Sequence, residues 1–246
     1  MILLELVPRD FTSLEQEVTK TYKEFPQVEG INLPDIQEFK LRSHDATEYV
    51  LKKNPNTQIV PHYRAIDRSV DSALKITENL YELGMRKVLI VSGDKPKGFQ
   101  KTYPVTPLKL IPALKKSFPD LNVYCGLDPY RTAFRDELDY CEQKIDAGAD
   151  GFFTQPFFDK DLARIYLEHL EHTEVFLGIS PILYESSRNY WLTKNKAFFP
   201  KEFQLDMEYN CQLAKDLMAL AKSFNQNVYL MPILVPVFEY LEGVFS

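Results

Sequence analysis

Residues 132–155 read "TAFRDELDYCEQKIDAGADGFFTQ". The first part, 132–148, reads as a helix that Gly148 ends, and 151–155 reads as a short strand rich in aromatic residues. Helix, glycine stop, strand is one step of a βα repeat. The fold therefore depends on how often that step recurs.

It recurs along the whole chain. Strand signals fall at 2–7, 28–33, 57–62, 87–93, 121–126, 151–155, 174–180 and 227–233. Helical signals fall at 13–25, 43–54, 69–84, 107–118, 132–148, 160–172 and 207–223, and "VPVFEYLEGVF" (235–245) closes the chain. Ser13 and a serine at 43 are the expected caps, Gly84 ends the third helix, and Pro112 is expected to weaken or kink the fourth. Residues 181–206 show no regular pattern, and Trp191 with Tyr184 and Tyr190 reads either as a lid or as packing.

Alternating βα units imply a parallel sheet, because a parallel connection needs a crossover helix. Eight such units in 246 residues match the size of a closed (β/α)8 TIM barrel, an α/β fold formed as a single domain over 1–246. An open doubly wound sheet is the competing architecture. It usually carries a glycine-rich turn after its first strand, whereas here "VPRDF" follows that strand.

Composition excludes several functions. Hydrophobic residues make up 45% of the chain, enough for a large core. The 29 basic and 35 acidic residues give a net charge of −6, without the bulk attraction for nucleic acid or an anionic membrane. Cys125, Cys141 and Cys211 lack zinc-ribbon or disulfide spacing and read as reduced cytosolic thiols. The N-terminus has no basic segment of a signal peptide, and no stretch approaches the roughly 20 apolar residues of a membrane span. A cytoplasmic location is expected.

Polar groups collect where the apolar strands stop: Glu5, Asn32 with Asp35, His62 with Tyr63 and Arg64, Asp94, Asp128, Gln155 and Ser180. In a barrel those strand ends form the active face. Glu5 stands between leucines in "LLELVP", where apolar surroundings favour a protonated carboxyl able to act as a general acid. A solvent-facing glutamate, or one paired with Arg9 or Arg64, fits the same residues. Gln155 closes an apolar run and is expected to be buried, so its amide needs a partner. His62 and Arg64 in "PHYRAIDR" could meet an anion or an aromatic ligand. His62 has no second histidine or cysteine at metal-ligand spacing, so no metal site is expected.

Several motifs together resemble the methylenetetrahydrofolate reductase family: "LLELVPRD", "PHYRAID", "LIVSGDKPKG" and above all "KIDAGADGFFTQPFFD" followed by "FLGISPI". Order and spacing agree from residue 3 to about 182. The resemblance implies a flavin-bearing (β/α)8 barrel that passes a hydride from NAD(P)H through FAD to 5,10-methylenetetrahydrofolate, giving 5-methyltetrahydrofolate. It implies that Glu5 matches the general acid, that Asp94 lies by flavin and pterin, and that Gln155 holds the pterin. His62 and Lys144 match FAD contacts, and Asn32 falls at another. Arg64, Ser92 and Gly93 belong to strand tips beside the flavin, and Tyr124 or the loop Asp128–Arg131 lies where the family touches it.

The chain also departs from that pattern. "INLPDI" replaces a turn that often carries glycines, Ser92 stands where arginine is common, and "YCGLDPYR" replaces a Tyr-Pro-Glu-x-His run. "PVFEYLEG" lacks an arginine expected near the folate. These changes bear on FAD retention and on the folate tail. Two other readings follow: a folate-binding barrel that transfers a methyl group or reduces without flavin, and a non-catalytic partner subunit. A homo-oligomer is compatible with each.

Overall fold

The structure, a computed structural model, describes residues 1–95 and 101–246. Pro96, Lys97 and Gly98 of the "SGDKPKG" turn lie outside the described residues. Eight parallel strands close into a barrel in sequential order. They are β1 (Ile2–Glu5), β2 (Gly30–Leu33), β3 (Ile59–Arg64), β4 (Lys87–Val91), β5 (Asn122–Leu127), β6 (Gly151–Thr154), β7 (Glu174–Ile179) and β8 (Asn227–Leu230). Helices α1 (Phe11–Glu24), α2 (Ser43–Lys53), α3 (Val70–Glu82), α4 (Pro107–Ser117), α5 (Phe134–Asp146) and α6 (Lys160–His169) follow the first six strands. Helices α7 (Glu185–Lys194) and α8 (Met207–Ser223) both follow β7, and α9 (Val237–Phe245) follows β8. The expected (β/α)8 barrel is therefore present.

The chain packs as two compact units, one of residues 3–126 with 141–151 and the other of residues 1–2, 127–140 and 152–246. In the first, β1 to β5 pair in parallel, with Glu5 beside Asn32, Asn32 beside Val60, His62 beside Leu89 and Leu89 beside Tyr124. Their near-continuous apolar runs suit strands covered on both faces. Leu3, Leu4, Ile31, Leu33, Val60, Val88 and Ile90 are fully buried.

Two caps differ from expectation. Asp10, not Ser13, begins α1: its carboxylate accepts the Ser13 backbone N–H at 2.8 Å. The helix thus starts earlier, because a carboxylate at that position satisfies an otherwise unpaired donor. Ser43 is the first residue of α2 and does not cap it. Its hydroxyl instead donates to the Leu33 carbonyl at 2.7 Å and accepts the His62 backbone N–H at 3.0 Å, tying α2 to β2 and β3. Helix α4 continues through Pro112.

In the second unit, β7 and β8 pair from Phe176 beside Asn227 to Ile179 beside Leu230. Phe153 of β6 stacks on Phe176 at 4.2 Å and meets Tyr229 edge-on at 5.3 Å. Residues 181–206, expected to be irregular, contain α7. Trp191 of α7 is buried against Phe158 at 5.5 Å, and Phe158 stacks on Phe199 at 4.3 Å. Trp191 is thus packing, while Tyr184 and Tyr190 are exposed. Asn210 of α8 pins the segment. Its amide accepts from the Ile182 backbone N–H at 2.9 Å and donates to the carbonyls of Ile182, Gln204 and Asp206 at 3.1, 3.1 and 2.8 Å.

Candidate active site

In the first unit, strand alternation decides which side chains face away from the helices. The Tyr63 hydroxyl lies 3.3 Å from the Thr77 hydroxyl on α3, so Tyr63 faces the helix layer. Its neighbour His62 then points to the opposite face. Register carries that orientation sideways: Leu89 lies beside His62 and Tyr124 beside Leu89. Val60, two residues before His62, lies beside Asn32, and Asn32 beside Glu5. Glu5, Asn32, His62 and Tyr124 therefore share one inner surface, and each is buried.

That surface carries unmet hydrogen-bonding capacity. Asn32 is 0% exposed, yet neither its Nδ2 nor its Oδ1 has a hydrogen-bond partner among the described residues. The Nε2 of His62 is also buried, without a hydrogen-bond partner among the described residues. A buried polar atom left unsatisfied costs about 1–3 kcal/mol, and native structures keep few of them. Burial pushes the His62 imidazole down to about 4, against the nearby Asp35 carboxylate, so the ring is neutral at pH 7. An amide with both donor and acceptor, on the same surface as a neutral imidazole, suits the edge of a flat heterocycle that alternates donors and acceptors. Pterins and the isoalloxazine ring of FAD both have such an edge. Asn32 and His62 would hold it.

The tips of β3 and β4 carry the other residues of this unit. Arg64 continues the inner face beyond His62; its Nε donates to Asp67 at 2.9 Å and its Nη2 to the Asp94 carbonyl at 2.6 Å. Ser92 is exposed, and its carbonyl accepts the Ile66 N–H at 3.2 Å. Gly93 has φ +81°, and a Cβ there would stand 2.9 Å from Ile66 and 3.2 Å from Arg64, so the turn admits glycine alone without strain. Asp94 is exposed at its tip.

An ionic chain runs behind these residues. Arg42 makes a bidentate pair with Asp35 at 2.7 and 2.8 Å and reaches Asp67 at 2.9 Å, while Arg68 meets Asp35 at 3.2 Å. Burial raises the Asp35 carboxyl, but its hydrogen bonds with Arg42 and the Arg42 and Arg68 charges overcome that, leaving it below its ordinary value. Sequence reading identified Asp35 and Arg64 at strand ends but missed Arg42, Asp67 and Arg68. The signal was slight: an "AIDR" run after a strand and an arginine before a helix.

Lys144, expected at FAD, is buried on α5 and donates to the Gly126 carbonyl at 2.7 Å, at the end of β5. In the second unit, the Asp128 carboxylate accepts the Tyr130 N–H at 3.0 Å. Arg131 pairs with the buried Glu137 at 2.6 Å and lies over the Tyr140 ring. Both residues thus brace their own loop. Gln155, expected to be buried, is exposed: β6 ends at Thr154, and the Gln155 N–H donates to the Leu127 carbonyl at 2.8 Å. Ser180, just past β7, is buried, and its hydroxyl has no partner among the described residues. Among the described residues no cluster of histidine, cysteine and carboxylate suits a metal ion, and no helix is long and apolar enough to cross a membrane.

Comparison with known proteins gives a consistent result. The family model for methylenetetrahydrofolate reductase matches residues 37–220. The 5,10-methylenetetrahydrofolate reductase of Pectobacterium carotovorum subsp. carotovorum is 25% identical over 147 residues, covering 57% of this chain and 49% of that protein. That of Escherichia coli (strain K12) is 27% identical over 143 residues, 54% of this chain and 47% of that protein. The matched part thus spans about half the length of these curated relatives. Among solved structures, an uncharacterized protein from Clostridium thermocellum that binds two copies of 5-methyl-5,6,7,8-tetrahydrofolic acid has a TM-score of 0.69 at 12% identity, covering 99% of this chain and 93% of that one. A 2,3-dimethylmalate lyase has a TM-score of 0.63 at 13% identity, covering 94% and 75%. At such identities these likenesses show the fold. Glu5 and Asn32 lie before the stretch matched by the family model.

Proposed function

We propose a function on one premise: the chain belongs to the methylenetetrahydrofolate reductase family. In our reading it binds a reduced folate on the inner surface around Glu5 and Asn32. It reduces 5,10-methylenetetrahydrofolate to 5-methyltetrahydrofolate with NAD(P)H. The observation that carries this reading is the Asn32 amide, fully buried with neither polar atom partnered among the described residues, in register with the buried Glu5. Such an arrangement is costly unless a ligand completes it. The folate-binding protein of the same fold lends support to the folate half of the reading.

Each step then asks something specific of the chain. Glu5 gives its proton to a ring nitrogen of the folate. The bond from that nitrogen to the one-carbon bridge breaks, and the bridge is left as an iminium ready to accept hydride. The hydride chemistry is what FAD, when bound, supplies. Asn32 and neutral His62 orient the heterocycle through its edge. Asp94, at the tip of β4, lies by the reacting rings.

A second reading is a folate-binding barrel that works without flavin, by methyl transfer or otherwise. It is favoured by the commitment of Lys144 to the Gly126 carbonyl, a cation that FAD would otherwise engage. The visible spectrum of the purified protein, followed by NAD(P)H oxidation with and without 5,10-methylenetetrahydrofolate, separates the two. A flavin band and folate-dependent oxidation support the reductase. Tight binding of 5-methyltetrahydrofolate by colourless protein, with no oxidation after FAD is added, supports the second reading. No folate binding in either form refutes both.

A further inference from the structure

We infer that Arg64 is a positioning residue for the Asp94 turn, and that the ionic chain behind it fixes the geometry of that turn. This rests on the folate reading above and adds a residue to its machinery. The guanidinium forks between two elements. Its Nε is held by Asp67, three residues along the chain, and its Nη2 grips the main-chain carbonyl of Asp94 at the tip of β4. Its Cζ also occupies the space over Gly93, where a Cβ would come within 3.2 Å. One planar cation therefore sets both the carbonyl direction at Asp94 and the clearance at Gly93.

Arg64 does not stand alone. Asp67 is shared with Arg42 at 2.9 Å and receives the Gln37 amide at 3.2 Å. Arg42 is locked onto Asp35, which Arg68 also holds. The loops after β2, β3 and β4 are thereby joined in a single chain: Arg68, Asp35, Arg42, Asp67, Arg64, Asp94 carbonyl. Three guanidinium groups meet two carboxylates along it. The Arg64 and Asp67 side chains are only 12% and 10% exposed, so solvent screens their pairing weakly. A planar fork suits this task and an ammonium does not, because a lysine can reach Asp67 or the Asp94 carbonyl but cannot span both in fixed geometry.

The test is a double-mutant cycle with a second readout that needs no ligand. Misplacing a group by about 1 Å can cost on the order of 100-fold in rate. Arg64→Leu is expected to lower kcat by about 10- to 100-fold with KM within about 3-fold, and Arg64→Lys to remain impaired. In an Asp94→Asn background the Arg64→Leu step is expected to cost less than about 3-fold, since its effect passes through Asp94. Hydrogen exchange over residues 90–95 is expected to quicken in Arg64→Leu. It should quicken also in Asp67→Asn, which keeps side-chain size if the leucine variant folds poorly. Full additivity with Asp94→Asn, wild-type activity in Arg64→Lys, or unchanged exchange in both variants overturns the inference. A wild-type protein that turns over no folate refutes the functional reading instead, and the exchange measurement still decides the role of Arg64.

Discussion

Replacing Asn32 by leucine should make the protein more stable and unable to hold its ligand. Asn32 is fully buried, and both of its side-chain polar atoms lack partners among the described residues. Each unsatisfied group costs about 1–3 kcal/mol, while an apolar side chain of similar branching adds favourable burial. Allowing for some crowding, the net gain is about 2 kcal/mol. For a chain of this size that corresponds to a rise in Tm of roughly 4–8 °C. Differential scanning fluorimetry measures the shift, and isothermal titration with 5-methyltetrahydrofolate measures the binding. Asn32→Val, with a smaller side chain, guards against overpacking by leucine. The reasoning fails if both variants lose stability while folate affinity is unchanged, because the amide would then be a satisfied structural element. Ordinary core positions behave in the opposite sense, which makes the sign of the stability change informative.

Two further substitutions test other parts of the structure. His62 titrates near 6.5 when unfolded and is pushed down to about 4 by burial, with Asp35 opposing. The unfolded chain binds the extra proton between those values, so this contribution is complete above about pH 6.5 and is lost as pH falls toward 4, by up to about 3 kcal/mol. His62→Gln should therefore lose less stability than wild type between pH 7 and 4.5 in urea titrations; equal losses would assign the acid sensitivity elsewhere. At Gly178, an added Cβ would sit 2.4 Å from the Thr154 carbonyl oxygen and 2.7 Å from the Met231 methyl. Gly178→Ala should cost about 2–3 kcal/mol in the same assay, and a wild-type midpoint would contradict the close approach of β6 and β7.

The barrel was legible because alternating strand and helix signals admit few architectures, and Gly84 and Gly148 mark helix ends plainly. Helix α7 was not, since only Trp191 of its residues is buried and no apolar stripe repeats at helical spacing. Asp10 was missed as a cap because Ser13, three residues on, is an equally good capping type. Glu5 stood out among leucines. The exposure of Gln155 could not be read from its aromatic neighbours, because it depends on where β6 stops. The orphaned amide of Asn32 becomes visible only once the strands are in register. The ionic chain joins residues 25 and 33 positions apart, a pairing that no local pattern signals.

The central claim is that Glu5 supplies the proton that opens the folate ring, on a surface that binds the folate whether or not that proton is given. The direct measurement is Glu5→Gln, which keeps shape and removes the acid, assayed for folate-dependent turnover and for 5-methyltetrahydrofolate affinity in one preparation. The account predicts a fall in kcat of about 10²- to 10⁴-fold with affinity within a few fold of wild type. Turnover that survives the substitution at the wild-type rate would contradict it.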